Sequence, residues 1–339
     1  MTTALGGSSA PAEFCTPRLG VVVIGRNEGE RLRRCLQSVL AQAQAVVYID
    51  SGSTDDSLAT AAALGARADG LDMRLPFTAA RARNEGARRL LAVTPHLDYI
   101  QFVDGDCEVV AGWLDAAQAF LNQHPDVAVV CGRRRERFPE RSIYNRLCDI
   151  EWDTPVGETK SCGGDALMRT KAFAQVAGFR DDLIAGEEPE LCLRLRAQRW
   201  RIWRLDAEMT LHDAAMTRLR QWWTRNARAG FAFAEGVYLH GAPPERHWVR
   251  EYRSAWLWGL ALPAVLIVLA ALAGPIALLG FLLYPSQVLR LWIRGSGPWR
   301  IRLARAGFLM LGKFAEAWGQ LRFVAHRLTG TRVGLIEYK

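Results

Sequence analysis

Short apolar runs alternate with amphipathic segments along the first 131 residues of the chain. Residues 19–24 read Leu-Gly-Val-Val-Val-Ile, the β-branched pattern of a strand that is buried on both faces. Residues 28–43 follow with apolar side chains at helical spacing. The same alternation predicts further strands at 45–49, 97–103 and 127–131, and helices at 57–64, 78–91 and 111–122. It indicates an α/β domain built on a mainly parallel sheet.

A long uncharged stretch, residues 254–289, lies between Arg253 and Arg290. One helix of that length would run about 54 Å, far beyond the ~30 Å hydrocarbon core of a bilayer. Two helices broken at Gly274-Pro275 would each just span it. A hairpin would leave both basic flanks on the cytoplasmic side, as the positive-inside rule requires. We therefore expect a transmembrane hairpin over 254–293; a buried helical pair is the alternative.

The pattern of residues 298–330 predicts one more helix, with charged side chains on one face. At 100° per residue, five charged side chains fall within roughly 80°, namely Arg302, Arg305, Lys313, Glu316 and Arg327. Apolar side chains gather on the other side, namely Leu303, Met310, Phe314, Leu321 and Leu328. A basic amphipathic helix beside a membrane segment is typical of a helix that lies in the interface.

Charge is unevenly distributed over the 339 residues, whose net charge is +8. Residues 218–339 hold 17 basic and 5 acidic side chains, whereas residues 1–213 hold 26 basic and 30 acidic ones. A basic tail fits either a nucleic-acid arm or a membrane-facing end. The apolar face of the last helix favours the membrane, and we expect membrane lipids rather than nucleic acid as the partner.

The seven cysteines are widely scattered and include no C-x-x-C pair. We expect reduced, mostly buried thiols, with a disulfide or metal role as the alternative. Residues 1–17 have neither the basic start nor the apolar core of a secretory signal, and they read as a flexible lead.

Acidic residues follow two of the predicted strands. Asp50 opens the segment Asp-Ser-Gly-Ser-Thr-Asp, and Asp104-Gly-Asp106 follows Tyr-Ile-Gln-Phe-Val. Ligands of parallel α/β sheets bind beyond the carboxyl ends of the strands. Two carboxylates at such an edge can hold Mg²⁺ or Mn²⁺ through oxygen. An ordinary turn and a helix cap are the alternatives for the two motifs.

Three further features carry candidate chemistry. Three carboxylates lie close together at a predicted helix start, in Gly-Glu-Glu-Pro-Glu at 186–190. They either complement the helix dipole, or their crowding raises the pKa of one of them so that it can act as a general base. His212 could complete a metal site or lie in the core. The Gly163-Gly164-Asp165 turn lets backbone approach a ligand closely. Neither a P-loop nor a G-x-G-x-x-G motif is present.

These motifs, in this order, resemble the family 2 glycosyltransferases, whose catalytic domain has the GT-A fold. The resemblance extends over about residues 19–236. It is carried by Val-Val-Val-Ile-Gly-Arg-Asn-Glu (21–28), Ser-Val-Leu-Ala-Gln (38–42), Asp-Ser-Gly-Ser-Thr-Asp (50–55), Ala-Arg-Asn (82–84), Asp-Gly-Asp (104–106), Cys-Gly-Gly-Asp-Ala (162–166) and Gly-Glu-Glu-Pro-Glu-Leu (186–191).

The resemblance implies roles for individual residues. A nucleotide-sugar site would include Asn27, Glu28, Asp50, Arg83, Asp104, Gly163, Gly164 and Asp165. Glu28 and Asp50 would contact the nucleoside, and Arg83 would lie near the diphosphate. Asp104 would contact ribose or sugar. Asp106 and His212 would hold the divalent metal, Mg²⁺ or Mn²⁺.

Two departures from the family pattern bear on mechanism. The usual base motif is Glu-Asp, and here Glu187-Glu188 stands in its place, so Glu188 is the predicted base and Glu187 its catalytic neighbour. Processive polysaccharide synthases carry Q-x-x-R-W after the base. Residues 221–225 read Gln-Trp-Trp-Thr-Arg instead, and we expect a non-processive enzyme.

The resulting hypothesis is an inverting, metal-dependent sugar transferase at the cytoplasmic face of the inner membrane. Its donor would be a nucleoside-diphosphate sugar and its acceptor a lipid-linked or polysaccharide hydroxyl. The expected segments are a lead (1–17), a GT-A domain (18–236), a linker (237–253), the hairpin (254–293), the amphipathic helix (298–330) and a tail (331–339). A sugar-phosphate nucleotidyltransferase and a non-catalytic membrane assembly subunit are the alternatives.

Overall fold

The computed structural model describes residues 18–330, and a nine-stranded sheet forms its centre. The first half of the sheet is parallel and comprises β1 (Leu19–Gly25), β2 (Ala45–Asp50), β3 (Arg67–Gly70) and β4 (Tyr99–Asp104), in the spatial order β3-β2-β1-β4. Helices α1 (Glu30–Val39), α2 (Ser57–Ala63) and α3 (Ala79–Val93) connect these strands. The predicted alternation of strands and helices is confirmed here, with β3 as an additional strand.

The second half of the sheet is mixed. It contains β5 (Cys107–Val109), β6 (Val127–Glu136), β7 (Gly157–Glu158), β8 (Ala166–Arg169) and β9 (Arg201–His212). Strand β8 runs antiparallel to both β4 and β6, β6 and β9 are parallel, and β5 and β7 run antiparallel to β9. The connecting helices are α4 (Trp113–Gln123), α5 (Ile143–Glu151), α6 (Thr170–Gln175) and α7 (Glu187–Ala197). Parallel order is thus confirmed for β1 to β4, and the sheet as a whole is mixed.

The core lies on both faces of this sheet. The valines of β1 are fully buried, and α1 turns Leu32, Leu36 and Val39 inward, as its apolar spacing predicted. The cysteines within residues 18–330 are also buried and free, namely Cys35, Cys107, Cys131, Cys148, Cys162 and Cys192. This agrees with the expectation of reduced, buried thiols; Cys15 lies outside the described residues.

Helices make up the rest of the chain. They are α8 (Leu219–His240), α9 (Val249–Trp256), a π-helical turn (Leu257–Ala261), α10 (Leu262–Ala273), a 3₁₀ segment (Pro275–Leu282), α11 (Leu283–Arg294) and α12 (Trp299–Thr329). Within residues 18–330, Val249–Ala273 and Pro275–Arg294 are long and apolar enough to cross a membrane. The two are separated at Gly274, where the sequence placed the break. The predicted lead and tail lie outside the described part of the chain.

Helix α12 packs against α8 over its central turns. Phe323 of α12 lies edge-on to Phe231 of α8, with ring centroids 5.3 Å apart. Glu316, which the helical projection placed in the charged sector, is buried and forms an ion pair with Lys313 at 2.6 Å. The centre of this helix therefore belongs to the protein core, because its small residues fit against α8. Its position at a membrane interface stays a prediction.

Candidate active site

The carboxyl ends of β1, β2 and β4 lie side by side at one edge of the sheet. Register pairs Gly25 of β1 with Asp50 of β2, and Ile24 of β1 with Asp104 of β4. Because these strands are parallel, the loops that follow them leave from the same edge, where ligands of such sheets bind. Strand register therefore brings the two acidic motifs to the same edge.

Asp50 and Asn27 organise the first two of these loops. Asp50 Oδ2 accepts the backbone N–H of Ser53 at 2.8 Å, and its Oδ1 accepts the Tyr48 hydroxyl at 2.9 Å. The Asn27 amide oxygen accepts the Thr54 N–H at 2.7 Å, while the Asn27 N–H donates to Ser53 Oγ at 2.9 Å. These hydrogen bonds tie the loop after β1 to the turn after β2, so the two residues shape one rim of the site.

Glu28 is linked to the second acidic motif through an arginine. Its carboxylate pairs with Arg31 at 2.8 Å. Arg31 also lines a small cleft at the end of β4, whose lining residues are Arg31, Arg34, Asp106, Glu108, Arg137, Leu211 and Asp213. The predicted metal ligand Asp106 thus lines a strongly charged cleft, and the ion-pair partner of Glu28 lies on the same cleft.

Arg83 is a buried arginine that joins two of the predicted motifs. Its Nη2 donates to Asp104 Oδ1 at 2.6 Å, and its Nη1 donates to Glu187 Oε1 at 2.5 Å. The side chain is only 4% exposed, and charge-assisted hydrogen bonds strengthen in such surroundings. The Arg83 guanidinium therefore lies between Asp104, at the end of β4, and Glu187, the first residue of α7, and binds both.

Asp165 holds the end of β4 in place through hydrogen bonds and an ion pair. Its Oδ1 accepts the Asp104 N–H at 2.9 Å, its Oδ2 accepts the Thr210 hydroxyl at 2.9 Å, and Arg134 pairs with it at 2.8 Å. Arg134 also lies 3.7 Å from the Asp104 carboxylate. Sequence reasoning missed this arginine. The run of three arginines at 133–135, near the end of β6, is the signal that could have indicated it.

The glycine turn before β8 approaches the charged cluster closely. Gly163 adopts φ +82°, which favours glycine. A Cβ on Gly164 would lie 2.9 Å from Asp104 Oδ2 and 3.1 Å from Arg83 Nη2. Any side chain at position 164 would therefore push against the Asp104–Arg83 pair, which explains why the turn needs glycine at this position.

Asp106 and His212 meet because β5 pairs antiparallel with β9. The register sets Cys107 opposite His212, and the neighbouring Asp106 Oδ2 lies 3.2 Å from His212 Nε2. One ligand atom from each of these three buried residues lies within 4.8 Å of the others. Adjacent ligands of an octahedral ion at about 2.1 Å would be about 3.0 Å apart, so the pair fits Mn²⁺ or Mg²⁺. Glu136 lies 3.6 Å behind the imidazole Nδ1, as carboxylates do behind metal-binding histidines.

Glu188 is a buried carboxylate that neutral groups surround. Its Oε1 accepts the Cys162 N–H at 2.5 Å and the Cys192 thiol at 3.1 Å. Burial raises the pKa of the Glu188 carboxyl above its usual value, although the hydrogen bonds from Cys162 oppose the shift. Glu187, in contrast, is paired with the Arg83 guanidinium. The two adjacent glutamates therefore have different environments.

Comparisons with known proteins point to one family. Residues 20–175 match the model of glycosyl transferase family 2. The pre-mycofactocin glycosyltransferase of Mycobacterium tuberculosis is 26% identical over 238 residues, which cover 65% of this chain and 47% of that protein. The chain thus spans about half the length of this curated relative.

Two solved structures share the fold over most of the chain. The mannosyltransferase PcManGT from Pyrobaculum calidifontis, in complex with GDP-Man and Mn²⁺, has a TM-score of 0.56 at 19% identity and covers 93% of this chain and 88% of its own. S. aureus TarS 1–349 has a TM-score of 0.50 at 14% identity and covers 93% and 92%. The match over residues 20–175 thus identifies a glycosyl transferase family 2 domain in this chain, and the fold that it shares with these structures is of the GT-A type.

Proposed function

We propose that the chain transfers a sugar from a nucleoside-diphosphate donor to a hydroxyl of a lipid-linked or polysaccharide acceptor, with inversion at the anomeric carbon. The observation that carries this proposal is the contact of the Arg83 guanidinium with both Asp104 and Glu187. It brings the strand-end carboxylates, which suit a donor, and the acidic first turn of α7 into one site. A donor and an acceptor hydroxyl can therefore meet there.

Glu188 is the base of the proposed reaction. Its pKa is raised by burial, which suits a group that must take a proton near neutral pH. The acceptor hydroxyl gives its proton to this carboxylate and attacks the anomeric carbon from the face opposite the leaving diphosphate. Glu187, paired with Arg83, holds the guanidinium in place for the negative charge of the donor. No covalent intermediate is needed.

Asp106 and His212 would hold the divalent cation, Mn²⁺ or Mg²⁺. A cation bound there would neutralise charge that develops on the leaving nucleoside diphosphate. The support is the 3.2 Å separation of a carboxylate oxygen and an imidazole nitrogen, both buried at the sheet edge. Asn27, Glu28 and Asp50 would bind the nucleoside along the rim formed by the first two loops.

A basic groove at the start of the first candidate span supports a lipid acceptor. Its volume is about 500 Å³, and it is lined by Arg246, Val249, Arg250, Arg253, Ser254, Leu257 and Trp258. The three arginines are exposed, and within residues 18–330 they form no ion pair. Basic side chains followed by apolar ones suit a lipid with a phosphate head and a hydrocarbon tail.

The groove adjoins the catalytic turn. Trp248 precedes α9 directly, and a Cβ on Gly186 would lie 2.7 Å from its ring. Gly186 is the residue before Glu187 and Glu188. A lipid head bound by the arginines of α9 would therefore lie on the part of the protein that contacts the start of α7.

The reaction is tested with a panel of nucleoside-diphosphate sugars and Mn²⁺. We expect metal-dependent release of nucleoside diphosphate by the full chain, and its loss in Glu188→Gln. Glu140→Gln, at an exposed position, is the matched control and should keep the wild-type rate. Release of pyrophosphate from a nucleoside triphosphate would favour the nucleotidyltransferase instead, and full activity of Glu188→Gln would exclude its role as base.

The acceptor is tested by neutralising the groove. Arg250→Gln with Arg253→Gln should raise KM for a lipid-phosphate acceptor by about thirtyfold, at about 1 kcal/mol for each basic residue, with little change in kcat. Arg220→Gln on α8 is the exposed control. An unchanged KM would contradict the lipid acceptor and favour a soluble glycan.

The membrane position is tested on the full chain. If 254–293 is a hairpin with the catalytic domain in the cytoplasm, the protein stays with membranes in alkaline carbonate. A cysteine introduced at position 274 would react with an impermeant reagent from the outer side, whereas one at position 140 would not. Carbonate extraction into the soluble fraction would contradict the anchor.

A further inference from the structure

Two thiols and the proposed base form a compact cluster. Cys192 follows Glu188 by one turn of α7, and Cys162 comes from the loop between β7 and β8. The two Sγ atoms lie 3.7 Å apart, and Cys192 Sγ lies 3.1 Å from Glu188 Oε1. One ligand atom from each residue lies within 4.8 Å of the others.

The spacing of the cluster fits a tetrahedral thiophilic ion. Two thiolates bound to Zn²⁺ at about 2.3 Å lie about 3.8 Å apart, and a thiolate and a carboxylate oxygen lie about 3.5 Å apart. The measured separations, 3.7 Å and 3.1 Å, need shifts of only tenths of an ångström. A disulfide, whose sulfurs are bonded at about 2.05 Å, would need a far larger movement in a packed core.

We propose that Cys162, Cys192 and Glu188 form a second metal site, which takes Zn²⁺ or a similarly soft cation. Binding forms two metal–sulfur bonds and one metal–oxygen bond, and it releases the two thiol protons to solvent. Soft thiolates select zinc over magnesium, whereas the Asp106–His212 pair suits the harder ion. Cys162 lies between the exposed residues Ser161 and Gly163, which gives the ion a short path from solvent.

Occupation of this site would inhibit transfer. A carboxylate oxygen bound to zinc cannot take the proton of an acceptor hydroxyl, so one ion would block the base without touching the donor site. This consequence rests on the proposed role of Glu188, whereas the metal site itself does not. Binding and inhibition are therefore measured separately.

Binding is tested with Cd²⁺ on the reduced full chain, with Mg²⁺ in excess to occupy the harder site. We expect one Cd²⁺ per chain and a sulfur-to-metal charge-transfer band in the ultraviolet. Cys162→Ser and Cys192→Ser should lose the band. Each should also weaken Cd²⁺ binding by more than the about 10–100-fold that is typical when a hydrogen-bond partner of a metal ligand is removed. Cys107→Ser, which removes the thiol of the Asp106 cluster, is the control and should keep the band.

X-ray absorption of the zinc-loaded wild type gives a second readout that does not depend on the folding of variants. Two sulfurs at about 2.3 Å are expected. A shell of nitrogen and oxygen only, or a band that survives in both serine variants, would overturn the site. Loss of the band in Cys107→Ser would show that the thiolate site is the Asp106 cluster and would overturn the proposed site.

Inhibition is tested by adding Zn²⁺ to the Mn²⁺-dependent reaction, with each variant compared with its own zinc-free rate. We expect the wild type to lose activity and the two serine variants to lose much less. Sulfur-bound zinc with undiminished transfer would exclude Glu188 as the base and leave the metal site intact. Zinc inhibition that persists in both serine variants would overturn the inhibitory role of the cluster.

Discussion

Arg83 Nη1 lies 2.5 Å from Glu187 Oε1, and this ion pair joins α3 to the first turn of α7. The two residues are 104 positions apart in the chain, so the contact exists only in the folded protein. Because the same guanidinium also binds Asp104, one buried cation positions the carboxylates at the end of β4 and at the start of α7.

Arg83→Met should therefore damage both stability and activity. Removing one partner of a buried ion pair leaves the other charge uncompensated and typically costs about 3–5 kcal/mol. We expect a loss of that order in the free energy of unfolding, with a large fall in kcat/KM. Arg88→Met is the control on the same helix: its pair with Glu85 is exposed, and its loss should cost less than about 1 kcal/mol. Similar costs for the two variants would contradict the assigned importance of Arg83.

The pH dependence of transfer should follow Glu188. A base acts only when it is ionised, and burial raises the pKa of this carboxyl. The rate should therefore rise with pH through a midpoint above the usual value of a glutamate, about 4.3. Glu188→Asp, which restores the residue usual in the family, should keep part of the activity with a displaced midpoint. A midpoint at or below the usual value of a glutamate would contradict the raised pKa of Glu188.

Glu235 should make the protein less stable at high pH. It lies on α8, its Oε2 is buried without a hydrogen-bond partner within residues 18–330, and burial raises its pKa to about 7. A raised carboxyl pKa means that the folded state holds the proton more tightly than the unfolded state. Stability from this group is then present below pH 4.5 and is lost as pH rises to about 7.

Glu235→Gln removes that loss, because glutamine keeps the shape without the charge. The variant should match the wild type near pH 4.5 and exceed its stability at pH 8 by about 3 kcal/mol, at about 1.4 kcal/mol for each pKa unit. Thermal unfolding at the two pH values measures the difference. Glu140→Gln should show no such trend, and equal stability of wild type and Glu235→Gln at pH 8 would contradict the raised pKa.

The α8–α12 contact predicts opposite effects for two glycines of the same helix. A Cβ on Gly319 would lie 1.9 Å from the Ala227 carbonyl oxygen, whereas a Cβ on Gly307 meets nothing within 4 Å. Gly319→Ala should cost about 1–3 kcal/mol through overpacking. Gly307→Ala should gain up to about 1 kcal/mol from helix propensity. The thermal unfolding midpoints of the two full-length variants test this prediction. Equal midpoints would show that α12 does not pack against α8 as described.

Much of the fold could be predicted because its signals are local. The apolar runs of β1, β2 and β4 and the periodicity of α1 and α3 are properties of adjacent residues, so they locate the strand ends and with them Asp50, Asp104 and Asp106. The same reasoning identified the break at Gly274. It did not identify β8, which has only four residues, and it missed β9, although residues 205–212 alternate between apolar and polar side chains. Both strands pair with segments far away in the chain.

What the sequence by itself determined is thus the alternation of elements, the acidic loops at the strand ends, and the apolar segment that could span a membrane. Only the tertiary structure decided that Arg83 binds both Asp104 and Glu187, that Asp106 lies beside His212, and that Glu316 is buried. It also placed Cys162 against Cys192. These relationships depend on strand register and helix packing between distant segments, which no short sequence pattern encodes.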